Sequence, residues 1–200
     1  MSCDIVLIGI GGQGVLTIGE LIVRAASSSG IPVSFCPTKG MAQRGGFVKG
    51  EVRIGLDRAG MRIPPRGADI VIAMERSEAV KGIPYVKEDG TFILYDEVLL
   101  PTGALLGRDR YPEREEVIAA IRSTGAGLIV LDPSERPAID RRRVAGNVYT
   151  LGAAIGIEPL SSLIDADSLE RAIEERWPGR AGENIAAYRA GLEAGGARWT

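Results

Sequence analysis

The 200-residue sequence contains no histidine. That side chain titrates nearest to neutrality and is the commonest metal ligand, so Ser-His-Asp and Cys-His catalytic sites and histidine-held metals are excluded within this chain. Acid–base work would fall to Asp, Glu, Lys or Tyr, and no set of these stands out by spacing. Cysteine is nearly as scarce. Cys3 and Cys36 are the only two, too few for a disulfide framework and too few for an iron–sulfur cluster, which takes four thiolates. Both read as reduced, buried small residues. An excess of one charge is missing as well: the formal net charge is −2, and no basic stripe interleaved with aromatics offers a footprint for nucleic acid. No apolar run approaches membrane-spanning length, and the sequence opens on an apolar strand instead of a charged leader. A cytoplasmic protein with no membrane and no nucleic-acid partner is expected. Repeats, low-complexity tracts and a second-domain boundary are also absent.

What is present is an apolar fraction of 45% with 25% charged residues, enough for one ordinary domain with a full core. Two glycine-rich loops stand out near the N-terminus. The first, Gly9-Ile10-Gly11-Gly12-Gln13-Gly14, follows the β-branched run Ile5-Val6-Leu7-Ile8 and precedes a helical pattern over residues 15–23. Strand, turn and helix in that order predict a Rossmann-like βαβ unit. In such a turn Gly9 allows the bend, Gly11 lets the backbone approach a phosphate, and Gly14 permits close packing of helix on sheet. Exposed N–H groups at the helix start then favour an anion. Bound NAD is not expected, because the second strand, near Val33-Ser34-Phe35-Cys36, should end in a ribose-binding acid and instead runs into Pro37-Thr38-Lys39-Gly40. Lys39 could serve another anion, or the glycines could merely make a turn.

Beyond the second loop, Gly40-Met41-Ala42-Gln43-Arg44-Gly45-Gly46, residues 47–54 alternate Phe47, Lys49, Glu51 and Arg53 against Val48, Gly50, Val52 and Ile54, which reads as a half-exposed strand. Strands are expected at residues 68–74, at 91–96 behind an Asp89-Gly90 entry turn, and at 128–132. Residues 77–80 begin a short helix or turn, and 98–110 read as an irregular connection or hairpin. Pro112 and Glu113 open a helix through Arg122. Residues 147–157 form a small-residue helix whose Gly152 and Gly156 share a face, as for tight packing on a sheet or partner. Two helices close the sequence, one from an N-cap at Asp167 or Ser168 to Trp177 and one over residues 183–193.

Residues 5–14 with Val15-Leu16 resemble the opening strand and turn of the gamma-type subunit or domain of the 2-oxoacid:ferredoxin oxidoreductases. The loop Gly40 to Gly46 resembles the form found in the beta subunit of indolepyruvate ferredoxin oxidoreductase. Relatives acting on pyruvate or 2-oxoglutarate tend to carry Gly-Pro-Glu before the Arg-Gly, so the aryl preference rests on Met41, Ala42 and Gln43. The specific similarity covers residues 4–100, and residues 149–156 are compatible with the family's later small-residue helix.

The resemblance implies an α/β fold: one Rossmann-like domain over residues 1–200, a mostly parallel sheet flanked by helices, with C-terminal helices from about residue 160 as an extension. It also implies a complex that oxidatively decarboxylates an arylpyruvate to an aryl-acetyl-CoA and passes electrons to ferredoxin. Thiamine diphosphate and 4Fe–4S clusters would sit on a larger alpha subunit, with CoA as co-substrate, and none of these bound by this chain alone. On this reading Arg44 lines the pocket, makes an inter-subunit salt bridge or is simply solvated; Gln43 orients substrate or caps its loop. Gly9, Gly11, Gly12, Gln13, Gly14, Gly45 and Gly46 meet a CoA anion or a subunit. A scaffolding or regulatory subunit and a stand-alone NAD(P)-dependent oxidoreductase are the alternatives.

Overall fold

The apolar run Cys3–Ile10 is β1, and its alternating side chains enter two separate cores. Cys3, Ile5 and Leu7 face one layer of helices, and Val6 and Ile8 face the other. This computed structural model describes residues 1–40, 46–55, 60–139 and 142–196. After β1 come α1 (Val15–Ser28), β2 (Val33–Lys39), β3 (Phe47–Ile54), β4 (Ala68–Ala73), α2 (Arg76–Gly82) and β5 (Val86–Tyr95). Then follow α3 (Thr102–Leu105), α4 (Arg114–Arg122), β6 (Gly127–Leu131), a small hairpin of β7 (Ala138–Ile139) and β8 (Arg142–Arg143), α5 (Gly146–Ile155), α6 (Ala166–Arg176) and α7 (Ala181–Gly196). The first six strands form one sheet in the order β2-β3-β1-β4-β5-β6. Parallel pairing runs from β1 through β4 and β5 to β6, whereas β3 is antiparallel to both β1 and β2. The sheet is mostly parallel, as expected, with helices on both faces: α1, α5, α6 and α7 on one, α2 and α4 on the other.

Four local expectations need correction. In the βαβ unit β2 is not β1's neighbour, because β3 lies between them. Since strands are spaced about 4.8 Å apart, this carries the end of β2 roughly twice as far from the first glycine turn as direct pairing would. The strand β3 is not half-exposed: Lys49 and Glu51 are buried, because the Lys49–Glu51 ion pair neutralises both charges and Tyr85 and Ile63 cover them. Asp89-Gly90 is not an entry turn. It lies within β5 at a bulge, where pairing jumps from Ala68–Val86 to Ile70–Thr91, and a side chain on Gly90 would stand 2.9 Å from the Asp69 carbonyl oxygen. The N-cap of α6 is Asp165, which accepts from the Ser168 N–H at 2.7 Å, two or three residues before the expected Asp167 or Ser168. The connection over residues 98–110 holds the short helix α3.

The small-residue helix is α5, and the partner it packs on is α7. A side chain on Gly195 would stand 2.6 Å from the Ala153 carbonyl oxygen, and those on Gly152 and Gly191 would strike the backbone at Tyr188 and Tyr149. Glycine at these positions lets two helix backbones touch.

Candidate functional site

The C-terminal ends of β1, β4 and β5 converge on a cavity of about 380 Å³ lined by Gly11, Gly12, Gln13, Met74, Tyr95, Glu97, Leu99, Arg136, Gly146 and Asn147. Ligands in open α/β sheets bind at this end of the strands, because the loops that vary gather there and helix N-termini point toward it. Here the turn leading into α1 forms one wall and the start of α5 forms another. Neither helix has a side-chain cap at its N-terminus, so no capping side chain competes with a ligand for the first N–H groups.

Gln13 fixes the turn. Its Oε1 accepts from the Ile10 N–H at 2.8 Å, while its Nε2 donates to the Met74 carbonyl at 2.6 Å and to Glu97 Oε2 at 2.7 Å. One amide thus ties the ends of β1 and β4 to the segment after β5. Glu75, buried at the end of β4, holds that segment from beneath by accepting from the Leu99 N–H and the Tyr111 hydroxyl, with Ser77 Oγ and the Glu78 N–H as further donors. Arg76 grips Asp96 through two bonds of 2.7 and 3.0 Å.

The glycines exchange the roles that motif and spacing suggest. Gly9 lies inside β1, and a side chain there would stand 2.7 Å from Val15 Cγ2, so Gly9 permits the close packing of helix on strand. The backbone bends instead at Gly12 and Gly14, with φ of 108° and 75°. Gly14 also abuts Asn147 of α5. The Gly11 N–H, expected to approach a phosphate, donates to the Gly46 carbonyl at 2.8 Å. That bond joins the two glycine-rich loops, whose described ends meet because Ile10 pairs with Phe47 and the Gly40 N–H donates to the Phe47 carbonyl. Gln43, Arg44 and Gly45 lie outside the described residues, as do Met41 and Ala42.

Tyr95 is the largest polar side chain of the cavity. Its hydroxyl is buried and has no hydrogen-bond partner among the described residues. Burial pushes its pKa up to about 12, the charge of Arg136 pulling the other way, so it stays a protonated donor at neutral pH. The Arg136 guanidinium lies 5.6 Å from the centre of the Tyr95 ring and donates to the carbonyls of Pro133 and Val144.

The family model "Pyruvate ferredoxin/flavodoxin oxidoreductase" matches residues 4–194. The chain belongs to that family. Among its relatives, "Indolepyruvate oxidoreductase subunit IorB" of Archaeoglobus fulgidus is 37% identical over 175 residues, 88% of this chain and 86% of the relative. Pyruvate oxidoreductase subunit PORC of Thermotoga maritima has the same fold, with a TM-score of 0.71 and 20% identity over 96% of both chains. A 2-oxoglutarate:ferredoxin oxidoreductase from Magnetococcus marinus, solved with 2-oxoglutarate, coenzyme A and succinyl-CoA bound, superposes with a TM-score of 0.65 and 16% identity. It covers 98% of this chain and 31% of that one, so there the fold is part of a longer polypeptide.

Among the described residues of this member the two cysteines stand apart and no metal-holding group is present. Cys3 is buried in the central strand and Cys36 lies on the edge strand with β3 between them, and no group of three or more Cys, Asp or Glu converges to hold a metal. Burial also pushes the Cys3 thiol pKa far up, leaving it inert. No described helix is long and apolar enough to cross a membrane. Motif reading missed Tyr95, Glu97, Arg136 and Asn147. Tyr95 and Glu97 could have been found as residues ending a parallel strand. Arg136 lies in a connection that carries no motif.

Proposed function

We propose that the chain is the small, cluster-free subunit of a thiamine-diphosphate-dependent 2-oxoacid:ferredoxin oxidoreductase, which converts an arylpyruvate such as indolepyruvate to an aryl-acetyl-CoA. The observation that carries this reading is the near-full-length similarity to a subunit named for indolepyruvate oxidation. Two cysteines on separate strands support assigning the 4Fe–4S clusters to a larger alpha subunit, and with them thiamine diphosphate and the route to ferredoxin. The complex is assigned to the cytoplasm.

In this reading the glycine turn, Gln13, Gly45 and Gly46 shape a seat for a CoA anion or for the partner subunit, and Gln43 and Arg44 line the substrate pocket. CoA, when bound, supplies the thiol that takes up the acyl group. The two helix starts of the cavity suit the anionic part of such a molecule. An NAD-dependent reading loses support, since β2 ends without an acid and stands one strand removed from the turn.

Reconstitution tests the proposal. The chain mixed with its large partner is expected to restore CoA-dependent ferredoxin reduction with indolepyruvate, and its variants to alter saturation by CoA or substrate. If the chain alone reduced ferredoxin, or if it changed only the amount of assembled enzyme, the subunit role described here would be wrong.

A further inference from the structure

The strand β2 ends the sheet and leaves one side of its backbone unpaired. Hydrogen bonds at the two ends of the β2–β3 ladder, from the Gly55 N–H to the Pro32 carbonyl and from the Gly40 N–H to the Phe47 carbonyl, fix its phase. Even-numbered residues of β2 therefore turn their backbone groups toward β3, and Val33, Phe35, Pro37 and Lys39 turn theirs outward. The outward N–H groups of Val33 and Phe35 meet no acceptor among the described residues. Such a row is a template for another strand, and edges are commonly blunted by proline. Pro37, which has no N–H, blunts only the second half of β2. Beside the unguarded half, next to Phe35, lies a groove of about 410 Å³ lined by Leu21 and Val23 of α1 together with Glu20, Arg24 and Arg176.

We propose that two copies of this chain pair through β2, antiparallel about a twofold axis at Ser34, so that their sheets join into one. In this register Val33 of each copy faces Phe35 of the other, and each facing pair exchanges both of its backbone hydrogen bonds. Moving the axis to Phe35 or Cys36 would set Pro37 against Val33 or Phe35 of the other copy, where its missing N–H loses a bond and its ring meets a carbonyl. Pro37 thus selects the register. Val33 and Phe35 share the α1 face of the sheet, with Phe35 against Gly19, so the side chains that each copy brings come to lie at the other's groove. The charges of the groove are self-complementary under the same rotation. Glu20 follows Gly19 and stands level with Phe35, whereas Arg24 lies four residues further along α1, about 6 Å toward the Val33 end, since α1 leads directly into β2. The axis at Ser34 falls between these levels and brings Glu20 of one copy level with Arg24 of the other. Glu20 makes no ion pair among the described residues of its own chain, and Arg24 makes only an exposed one with Glu175. The pairing needs neither the cavity nor the reaction.

Analytical ultracentrifugation of the full chain tests this pairing. The chain is expected to sediment as a dimer at about 100 μM and to dissociate on dilution; a monomer at that concentration would overturn the proposal. Ser34→Glu sets like charges opposite one another at the axis and is expected to weaken the dimer about tenfold while the diluted monomer keeps its unfolding temperature. Glu20→Arg is expected to weaken it about fivefold, and the double variant Glu20→Arg with Arg24→Glu to recover most of that loss, which a role confined to one chain would not produce. Oxidation reads the register. Ser34→Cys in a Cys36→Ser background should give a disulfide-linked dimer, because residues facing one another at such an axis have Cα atoms about 4.5 Å apart, within disulfide reach. Wild-type protein, with Cys36 off the axis, should not crosslink. A wild-type crosslink through Cys36, or none in the Ser34→Cys variant, would refute the register. If the Val33 and Phe35 amides were slowed in hydrogen exchange only when the large subunit was added to a monomeric chain, the edge would belong to that subunit and not to a second copy.

Discussion

Glu51 is a charged residue in an interior strand, its side chain 1% exposed, paired with Lys49 at 2.5 Å and accepting from the Ile63 N–H at 2.8 Å. Burial pushes its carboxyl pKa up, but the bonds from Lys49 and Ile63 and the charges of Lys49 and Arg62 outweigh burial and leave it below the ordinary 4.5. A carboxyl whose folded pKa is lowered contributes stability that is complete above the unfolded value and is lost as pH falls through the folded one. Wild-type protein should therefore lose more stability than Glu51→Gln between about pH 6 and pH 3 in urea titrations. At neutral pH the same substitution should cost roughly 3 kcal/mol, since Lys49 is left buried without its counter-charge. Alternation alone could not show this burial. Phe47, Lys49, Glu51 and Arg53 spell a solvent face, and only the two separate segments carrying Ile63 and Tyr85 turn that face inward.

Among the elements, α5 and α7 depend most on what is absent from their side chains. The spacing of Gly152 and Gly156 marked a packing face in the sequence, and the fold supplies α7 as its partner, with Gly191 and Gly195 answering from the other side. Because the atoms that a new methyl would meet at Gly152 belong to the Tyr188 backbone, they cannot turn away as a flexible side chain would. Gly152→Ala is expected to destabilise the protein by about 1–3 kcal/mol despite the better helix propensity of alanine, read as a lower urea midpoint with an unchanged slope. Gly156→Ala, whose nearest neighbour would be Leu192 Cδ1 at 3.4 Å, should cost far less. The strands of the parallel half were legible because both of their faces are apolar. The bulge in β5 was not, since Asp-Gly reads equally as a turn and only the register against β4 tells the two apart.

For the whole molecule the consequence is division of labour. Under the proposed function, a chain whose only two cysteines lie on separate strands leaves the electrons of a 2-oxoacid oxidation to a partner, and its side chains act on the reaction through that partner. Arg44→Ala should lower turnover of the assembled complex about tenfold or more while assembly, followed by gel filtration, is unchanged, as expected for a lost charge-assisted contact. Unaltered kinetics would remove Arg44 from the pocket.

The sequence by itself determined the absence of histidine chemistry, the strand–turn–helix opening and the family, because residue counts, local periodicity and motif spacing are properties of neighbours along the chain. Tertiary structure alone decided that β3 separates β1 from β2, that Gly9 packs while Gly12 and Gly14 bend, and that Tyr95, Arg136 and Gly146 share one corner of a cavity. Tyr95 and Arg136 stand far apart in the chain, and what joins them is the packing of β5, the connection after β6 and the start of α5. Contacts of that range are chosen by burial and strand order over the whole sheet, and no local pattern carries them.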